Sequence, residues 1–287
     1  MAVDLHLHTN HSDGSLSPEE LVDLLQTFGV STFAITDHDT VSAVKQVERY
    51  ASSKGMKLIP GVELSIEYPL PATAHLHLLG FFIDIENPSL NEALHQLRME
   101  REKRASLIIK KLNELGLQLN QQSLQNISRQ ESIGRPHIAR MLLKNGVVQS
   151  VGEAFEKYIG RNGPAYVPKK KFNLSEAITL IHRAGGLAIV AHPISLGAES
   201  PAQILSRLDE LLAYGIDGLE AYYSGHSEQL TRVLLEYARQ HGLAVSGGSD
   251  FHGEAKKEIQ PVIGRGNLSI PDEIVPELLK HYNRRKF

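Results

Sequence analysis

The sequence predicts an α/β fold, a closed or distorted (β/α) barrel of about seven strand–helix units interrupted by a helical insertion. Three observations predict it. Short apolar runs of strand length alternate with longer runs of helical spacing along most of the 287 residues, and such alternation gives parallel strands joined by right-handed crossovers. The alternation breaks once, between about residues 98 and 170, in sequence with little strand character. Histidines and carboxylates recur where the strand runs end, the place where barrels of this kind carry functional residues. The expected organisation is barrel over residues 1–97, a helical lid over 98–170, and barrel again over 171–287.

The elements follow in order. In Val3-Asp4-Leu5-His6-Leu7-His8 apolar and polar residues alternate, which predicts a strand with Asp4, His6 and His8 on one side. Thr9 to Gly14 is turn-rich and brings Asp13 back over the strand end. Ser17 reads as the N-cap of a helix, with Pro18 in its first turn, Glu19 and Glu20 behind it, and Gly29 as its stop. Thr32 to Thr36 is a strand ending in Asp37-His38-Asp39. Thr40 is read as the cap of a helix that runs to Lys54. Leu58 to Glu63 is a third strand ending in a carboxylate, and Ala74 to Ile85 is strand-like, with His75 and His77 alternating with leucines. Residues 90–115 form one long charged helix that includes Arg98, Arg101, Lys103 and Arg104. Short helical pieces follow to residue 170, and the notable runs of this insertion are Gly134–Arg140 and Gly163–Lys171. Leu174–Arg183 is helical. Leu187–Ala191 is a buried strand ending in His192-Pro193. A helix over 201–213, a strand over 218–222, a helix over 227–240 and a strand over 243–246 follow. The last strand runs into Gly247-Gly248-Ser249-Asp250-Phe251-His252-Gly253, and Pro271 opens a last helix.

Composition narrows the class. A hydrophobic fraction of 41% suits a globular chain, and a net charge of −3 shows no overall basic character toward nucleic acid, although a local basic groove is compatible with it. There is no cysteine, hence no thiolate metal site and no disulfide, which fits a cytoplasmic location. The first residues carry neither a basic nor an apolar leader, so no signal peptide is expected. No run approaches the roughly 20 apolar residues of a membrane helix. Nothing implies a stable protein partner.

Nine residues gather at the predicted strand ends: His6, His8, Asp13, His38, Glu63, His77, His192, Asp250 and His252. His95, His182, His241 and His281 fall on predicted helices and are read as surface or packing residues. Imidazole and carboxylate donors without sulfur suit Mn²⁺ first, with Zn²⁺ or Fe²⁺ as alternatives. Nine donors exceed the needs of one ion, so two or three divalent ions are expected, with Glu63 as the bridge. Two ions about 3.5–4 Å apart can hold a hydroxide between them and clamp a phosphoryl oxygen, the basis of metal-assisted phosphoester hydrolysis. Asp13, Glu63, His192 and Asp250 would act catalytically through that hydroxide. Asp37 and Asp39 are read as residues that orient the ligands.

The ordered motifs His6-Leu7-His8 with Asp13, Thr36-Asp37-His38-Asp39, Gly61-Val62-Glu63, His77-Leu78-Leu79-Gly80, Ala191-His192-Pro193 and Ser249-Asp250-Phe251-His252 resemble those of the PHP (polymerase and histidinol phosphatase) superfamily. The resemblance implies a distorted (β/α)7 barrel with a trinuclear metal centre. It implies that His6, His8, Glu63 and Asp250 hold one ion, that Glu63, His77 and His192 hold a second, and that Asp13, His38 and His252 hold a third. His75 competes with His77, which the following Leu-Leu-Gly favours. Within the superfamily the chain looks like the stand-alone group with a helical insertion, whose activities are 3′,5′-nucleoside bisphosphate phosphatase and 5′→3′ exoribonuclease. A small nucleotide or short oligonucleotide is then the expected substrate, with a histidinol-phosphate-type metabolite as the alternative. Arg135 and Lys169, at the head of Lys169-Lys170-Lys171, are candidate phosphate contacts, and His137 and His226 are candidate substrate residues.

Overall fold

The computed structural model describes residues 2–71, 74–117, 119 and 134–285. The strands β1 (Ala2–Leu7), β2 (Val30–Ile35), β3 (Lys57–Glu67), β4 (Leu76–Phe81), β6 (Leu187–Val190), β7 (Gly218–Tyr223) and β8 (Ala244–Gly248) follow one another in that order across a single sheet, and the two-residue β5 (Phe172–Asn173) adds to β3. Beyond β8 the chain returns to β1. Asp250 N–H donates to the His6 carbonyl at 2.9 Å and His8 N–H to the Phe251 carbonyl at 3.0 Å, so the sheet is nearly closed into a barrel. Gly248 permits this closure, because a Cβ there would lie 2.2 Å from the Cβ of His6.

One strand departs from the expected parallel order. β4 runs antiparallel to both β3 and β6. The link over residues 68–75 is too short for a parallel crossover, which needs a dozen or more residues. β3 also continues past Glu63 to Glu67, so Glu63 sits within the strand rather than at its end. The reversal places His77, near the start of β4, at the same rim as the carboxyl ends of the parallel strands.

The first helix, α1 (Pro18–Thr27), opens with the expected cap. Ser17 Oγ accepts from Glu20 N–H at 3.3 Å, and Glu20 accepts from Ser17 N–H at 2.8 Å. Helix α2 (Ser42–Ser53) starts later than expected, after Val41. Thr40 instead accepts from Ser42 N–H at 3.3 Å in a local turn. Helix α3 (Pro88–Glu114) passes unbroken through residue 98. Its Leu90, Leu94 and Leu97 pack with the barrel, whereas Ala105, Ile108, Ile109 and Leu112 enter a second core. That second core also holds Ile138, Ala139 and Leu142 of α4 (Arg135–Lys144) and Ala154 of α5 (Val151–Ala154), which runs into a π-helical turn at Phe155–Ile159. The short helical pieces expected over residues 120–133 lie outside the described residues.

The barrel resumes with α6 (Leu174–Arg183), α7 (Pro201–Leu212) and α8 (Glu228–His241), packed on β3, β4, β6 and β7. Ile274, Val275 and Leu278 of α9 (Ile274–Arg285) join a cluster with Leu5, Ile59, Phe81 and Ile189 from four strands. Among the described residues no helix is long and apolar enough to cross a membrane.

Candidate metal centre and its cationic chamber

The rim of the barrel gathers the other eight of the nine expected donors around Glu63, which is 1% exposed. Its Oε2 lies 3.4 Å from His6 Nε2, 3.2 Å from His8 Nε2 and 3.0 Å from His38 Nδ1. Its Oε1 lies 2.8 Å from His77 Nδ1 and 3.0 Å from His192 Nε2. Asp250 Oδ1 stands 3.5 Å from His6 Nε2 and 3.4 Å from His8 Nε2. Asp13 reaches His252 Nε2 at 3.3 Å, His8 Nδ1 at 3.6 Å and His38 Nε2 at 3.9 Å.

Several of these atoms are buried with no hydrogen-bond partner: Nε2 of His6 and of His8, Nδ1 of His38 and Oε2 of Glu63. Buried polar groups are rarely left unpaired, and here the unpaired ones converge. Donor atoms of His6, His8 and Asp250 lie within 4.8 Å of one another, as do those of His6, Glu63 and His192, of His38, Glu63 and His77, and of His8, Asp13, His38 and His252. Nitrogen and carboxylate oxygen in such sets fit divalent ions of the Mn²⁺, Fe²⁺ and Zn²⁺ kind. His75 stands at the edge of the cluster, its ring 4.9 Å from that of His77, but it is His77 that meets Glu63.

Backbone and outer residues hold the donors in place. His192 and Asp250 sit at φ of 29° and 58°, left-handed values that non-glycine residues adopt at a cost and that concentrate at functional sites. His6 Nδ1 donates to Glu220 Oε1 at 2.9 Å, which turns Nε2 toward the cluster, and Glu220 Oε2 accepts from His192 N–H at 2.7 Å. Ser195 Oγ donates to the His75 carbonyl, so it accepts from His192 Nδ1–H at 2.8 Å and leaves Nε2 to face Glu63. His252 Nδ1–H donates to the Asp250 carbonyl at 2.8 Å. Tyr223 OH and Lys256 Nζ both donate to Asp250 Oδ2, at 3.1 and 2.6 Å. Asp37 accepts from Thr9 N–H, Thr9 Oγ1 and Ser12 Oγ, which fixes the loop between His8 and Asp13.

The electrostatics favour added positive charge. Burial alone would raise Glu63, Asp13 and Asp250, yet the surrounding histidines, and Lys256 beside Asp250, hold all three well below the usual carboxylate range. Burial would lower His6 and His8, but Glu220, Glu63 and Asp250 raise His6 well above its ordinary value, and Asp250 and Glu63 raise His8 to about 9. Burial lowers His38 and His77.

Above the cluster, described residues of the helical segment line a chamber of about 200 Å³. Asp13, His38 and His77 line its floor, and Arg101, Arg104, Arg135 and Lys169 line its wall. Asp39, also at positive φ, accepts from Arg101 and lies 3.2 Å from Lys169 Nζ. It therefore positions cations rather than metal ligands. Arg104 donates to the Val167 carbonyl at 2.9 Å and Arg135 to the Ile159 carbonyl at 3.3 Å, so among the described residues these two guanidiniums bond to backbone and not to carboxylates. Burial and the neighbouring Arg135 bring Arg104 down to about 10. Burial and Arg101 bring Lys169 down to about 8, with Asp39 opposing.

The remaining candidates lie elsewhere. His137 accepts from Gly134 N–H at 3.0 Å and orients the start of α4. His226 is buried, donates to the Ala221 carbonyl at 2.9 Å and packs its ring 5.1 Å from that of Tyr223. Neither lines the chamber among the described residues. The sequence reading missed Glu220, Tyr223, Lys256, Arg101 and Arg104 as parts of the site. A signal existed for the arginines, which fall on the apolar stripe of α3 with Leu90, Leu94, Leu97 and Ile108 and are each only 8% exposed.

Known proteins are similar to this chain in sequence and in fold. The chain is 36% identical over 253 residues to the 5′-3′ exoribonuclease Rnm of Escherichia coli, covering 87% of this chain and 84% of that one. It is 31% identical over 261 residues to the 3′,5′-nucleoside bisphosphate phosphatase of Chromobacterium violaceum, covering 90% of each. A crystal structure from Bifidobacterium adolescentis, assigned as a metal-dependent phosphoesterase, superposes with a TM-score of 0.81 at 28% identity over 97% of this chain and 96% of that one. The PHP domain family model matches residues 4–158, the stretch that carries His6, His8, Asp13, His38, Glu63 and His77, and by that match the chain belongs to the PHP domain family.

Proposed function

We propose that this chain is a metal-dependent phosphoesterase that hydrolyses the phosphate ester of a nucleotide, either a 3′,5′-nucleoside bisphosphate or the 5′ end of a short RNA. The observation that carries this reading is the chamber itself. Oxygen and nitrogen donors for cations form one side, and two guanidiniums that have no carboxylate partner among the described residues form the other. A phosphate anion fits between them. The relatives named for nucleotide and RNA substrates support the same class.

In this reading His6, His8, Glu63 and Asp250 hold one ion, Glu63, His77 and His192 a second, and Asp13, His38 and His252 a third, with Mn²⁺ the favoured metal. Bound divalent ions supply a water activated at neutral pH and neutralise charge on the phosphoryl oxygens. The chain's own residues do the rest. Arg104 and Arg135 grip phosphate oxygens, which the planar guanidinium matches in pairs. Lys169 adds a point charge, and Asp39 keeps Lys169 and Arg101 in place. The helical segment over about 98–170 serves as the lid that excludes bulk water, which strengthens each of these contacts.

The test is a single assay with Mn²⁺ on adenosine 3′,5′-bisphosphate, histidinol phosphate and a 5′-phosphorylated RNA. Phosphate from the bisphosphate or mononucleotides from the RNA is expected, with turnover lowered by about 100-fold or more in His192→Ala. Cleavage of histidinol phosphate alone would overturn the nucleotide assignment. No cleavage of any of the three with Mn²⁺, Zn²⁺ or Fe²⁺ would overturn the phosphoesterase reading.

A further inference from the structure

His75 has no part in the reading above, yet the fold holds it firmly beside the centre. It is exposed, whereas Glu63 and His192 are buried. Two hydrogen bonds tie it to the turn that carries His192. His75 N–H donates to the Ser195 carbonyl at 2.9 Å, and the His75 carbonyl accepts from Ser195 Oγ at 3.0 Å. The same Oγ accepts from His192 Nδ1–H, so one serine sets both histidines.

The rings of His75, His77 and His192 form a triangle. Their centroids stand 4.9 Å apart for His75 and His77, and 5.3 Å apart for each of the other two pairs. One nitrogen from each ring lies within 4.8 Å of the other two. Three imidazoles make the donor set of a Zn²⁺ site with one position open. This set differs by one member from the Glu63, His77 and His192 set, with exposed His75 in place of buried Glu63. The two sets cannot be filled together. A neutral imidazole has one lone-pair nitrogen, and in His192 it is Nε2, because Nδ1–H is committed to Ser195. Arg104, Arg135, Lys169 and Lys171 line the groove beside His75 and oppose the approach of a free cation. A donor at the outer edge therefore matters most while an ion is on its way in.

We infer that His75, His77 and His192 form an entry position, where a divalent ion is first held before it exchanges His75 for Glu63 while His77 and His192 stay bound. One metal–nitrogen bond breaks as one metal–oxygen bond forms, and no other change is needed. The inference rests on the metal-binding part of the reading above and not on its substrate. A group that acts only on the way in lowers the barrier equally in both directions. His75 then speeds uptake and release alike and leaves the final affinity as it is.

Zn²⁺ alone is the probe, and no turnover is needed. Stopped-flow mixing of chelator-treated, dialysed protein with Zn²⁺ and a fluorescent indicator reads uptake. Mixing the loaded protein with excess chelator reads release. The phase that belongs to this position is the one that His192→Ala lacks. In His75→Ala that phase should slow about tenfold in both directions, a barrier change of about 1.4 kcal/mol, with Zn²⁺ affinity unchanged. His75→Glu, which keeps a donor atom, should restore most of the rate. Unchanged rates in His75→Ala would overturn the entry position while leaving the metal centre standing. Weaker binding with faster release would also overturn it, since His75 would then be a ligand of the filled centre. Equal slowing in His75→Ala and His75→Glu would reduce the ring to a packing role and overturn it as well. A native chain that binds no Zn²⁺ would remove the entry position together with the metal centre. Thermal melts of both variants guard against misfolding.

Discussion

Five imidazole rings face the two oxygens of Glu63, and two of them, His6 and His192, are set by a partner on the far side of the ring. Glu220 shows the dependence most directly. It lies on β7, is fully buried, and holds both the His6 ring and the His192 backbone. Outer partners of this kind are typically worth 10–100-fold in metal affinity. Glu220→Ala is therefore expected to weaken Mn²⁺ binding by about 10–100-fold, read by competition with a fluorescent chelator, and Glu220→Gln, which keeps one acceptor, to weaken it less. Equal affinity in all three proteins would show that Glu220 is only a packing residue. Lys169 gives the pH dependence. Its ammonium, lowered from 10.5 to about 8 by burial and Arg101, loses its charge as pH rises through that value. Between pH 8 and 10.5 the unfolded chain holds this proton and the folded chain does not, so the titration favours the fold in that window while it removes a cation from the chamber. kcat/KM, which reports the free enzyme, should then fall above about pH 8 in the native protein. In Lys169→Arg this alkaline limb should move upward, and identical profiles would remove Lys169 from phosphate binding.

At the level of elements, the strand ends were legible because ligands and strand periodicity coincide. His6 and His8 follow the alternation of β1, and His192 and Asp250 close β6 and β8 within a residue or two. The reversal of β4 was not read, although the short link before it carried the information. Glu63 was read as a strand end, whereas pairing with β4 and β5 prolongs the strand to Glu67. Glu220 and the α3 arginines escaped because a buried polar residue has no local signature when its partner lies on another element. Arg101 reaches Asp39, and His6 reaches Glu220, across more than sixty residues of chain. The closure of β8 on β1 is the most demanding of these long-range contacts. Since a Cβ at Gly248 would meet the His6 Cβ and backbone at 2.2–2.8 Å, Gly248→Ala must push β1 outward. Overpacking of this kind costs about 1–3 kcal/mol, and it displaces the ligand that Glu220 holds. Urea unfolding should show a loss of about that size together with weakened metal binding. A fully stable variant with native metal affinity would show that the two strands can separate freely.

For the whole molecule, the centre is where distant parts of the chain are tied together. Its donors come from the ends or edges of β1, β2, β3, β4, β6 and β8, and the chamber above them is walled by α3, the start of α4 and the strand-leading Lys169. Three carboxylates held ionised side by side repel one another unless positive charge is supplied nearby. Divalent ions can fill that role only in the folded chain, because unfolding scatters donors that stand as far apart in sequence as His6 and His252. Binding to the folded state alone adds about 2.7 kcal/mol per site at a free ion concentration of one hundred times Kd. A domain of this size shifts its melting midpoint by roughly 2–4 °C per kcal/mol. Each tightly filled site should therefore raise the midpoint by roughly 5–10 °C, and a chelator should reverse the rise. Scanning calorimetry of the chelator-treated protein, with Mn²⁺ returned in steps, reads this directly. The same titration on His192→Ala should lose one increment, since that variant removes a donor facing Glu63 but leaves the Asp13, His38 and His252 set untouched. A midpoint insensitive to both chelator and Mn²⁺ would mean that these donors are held by the fold alone and that no ion joins the two halves of the barrel.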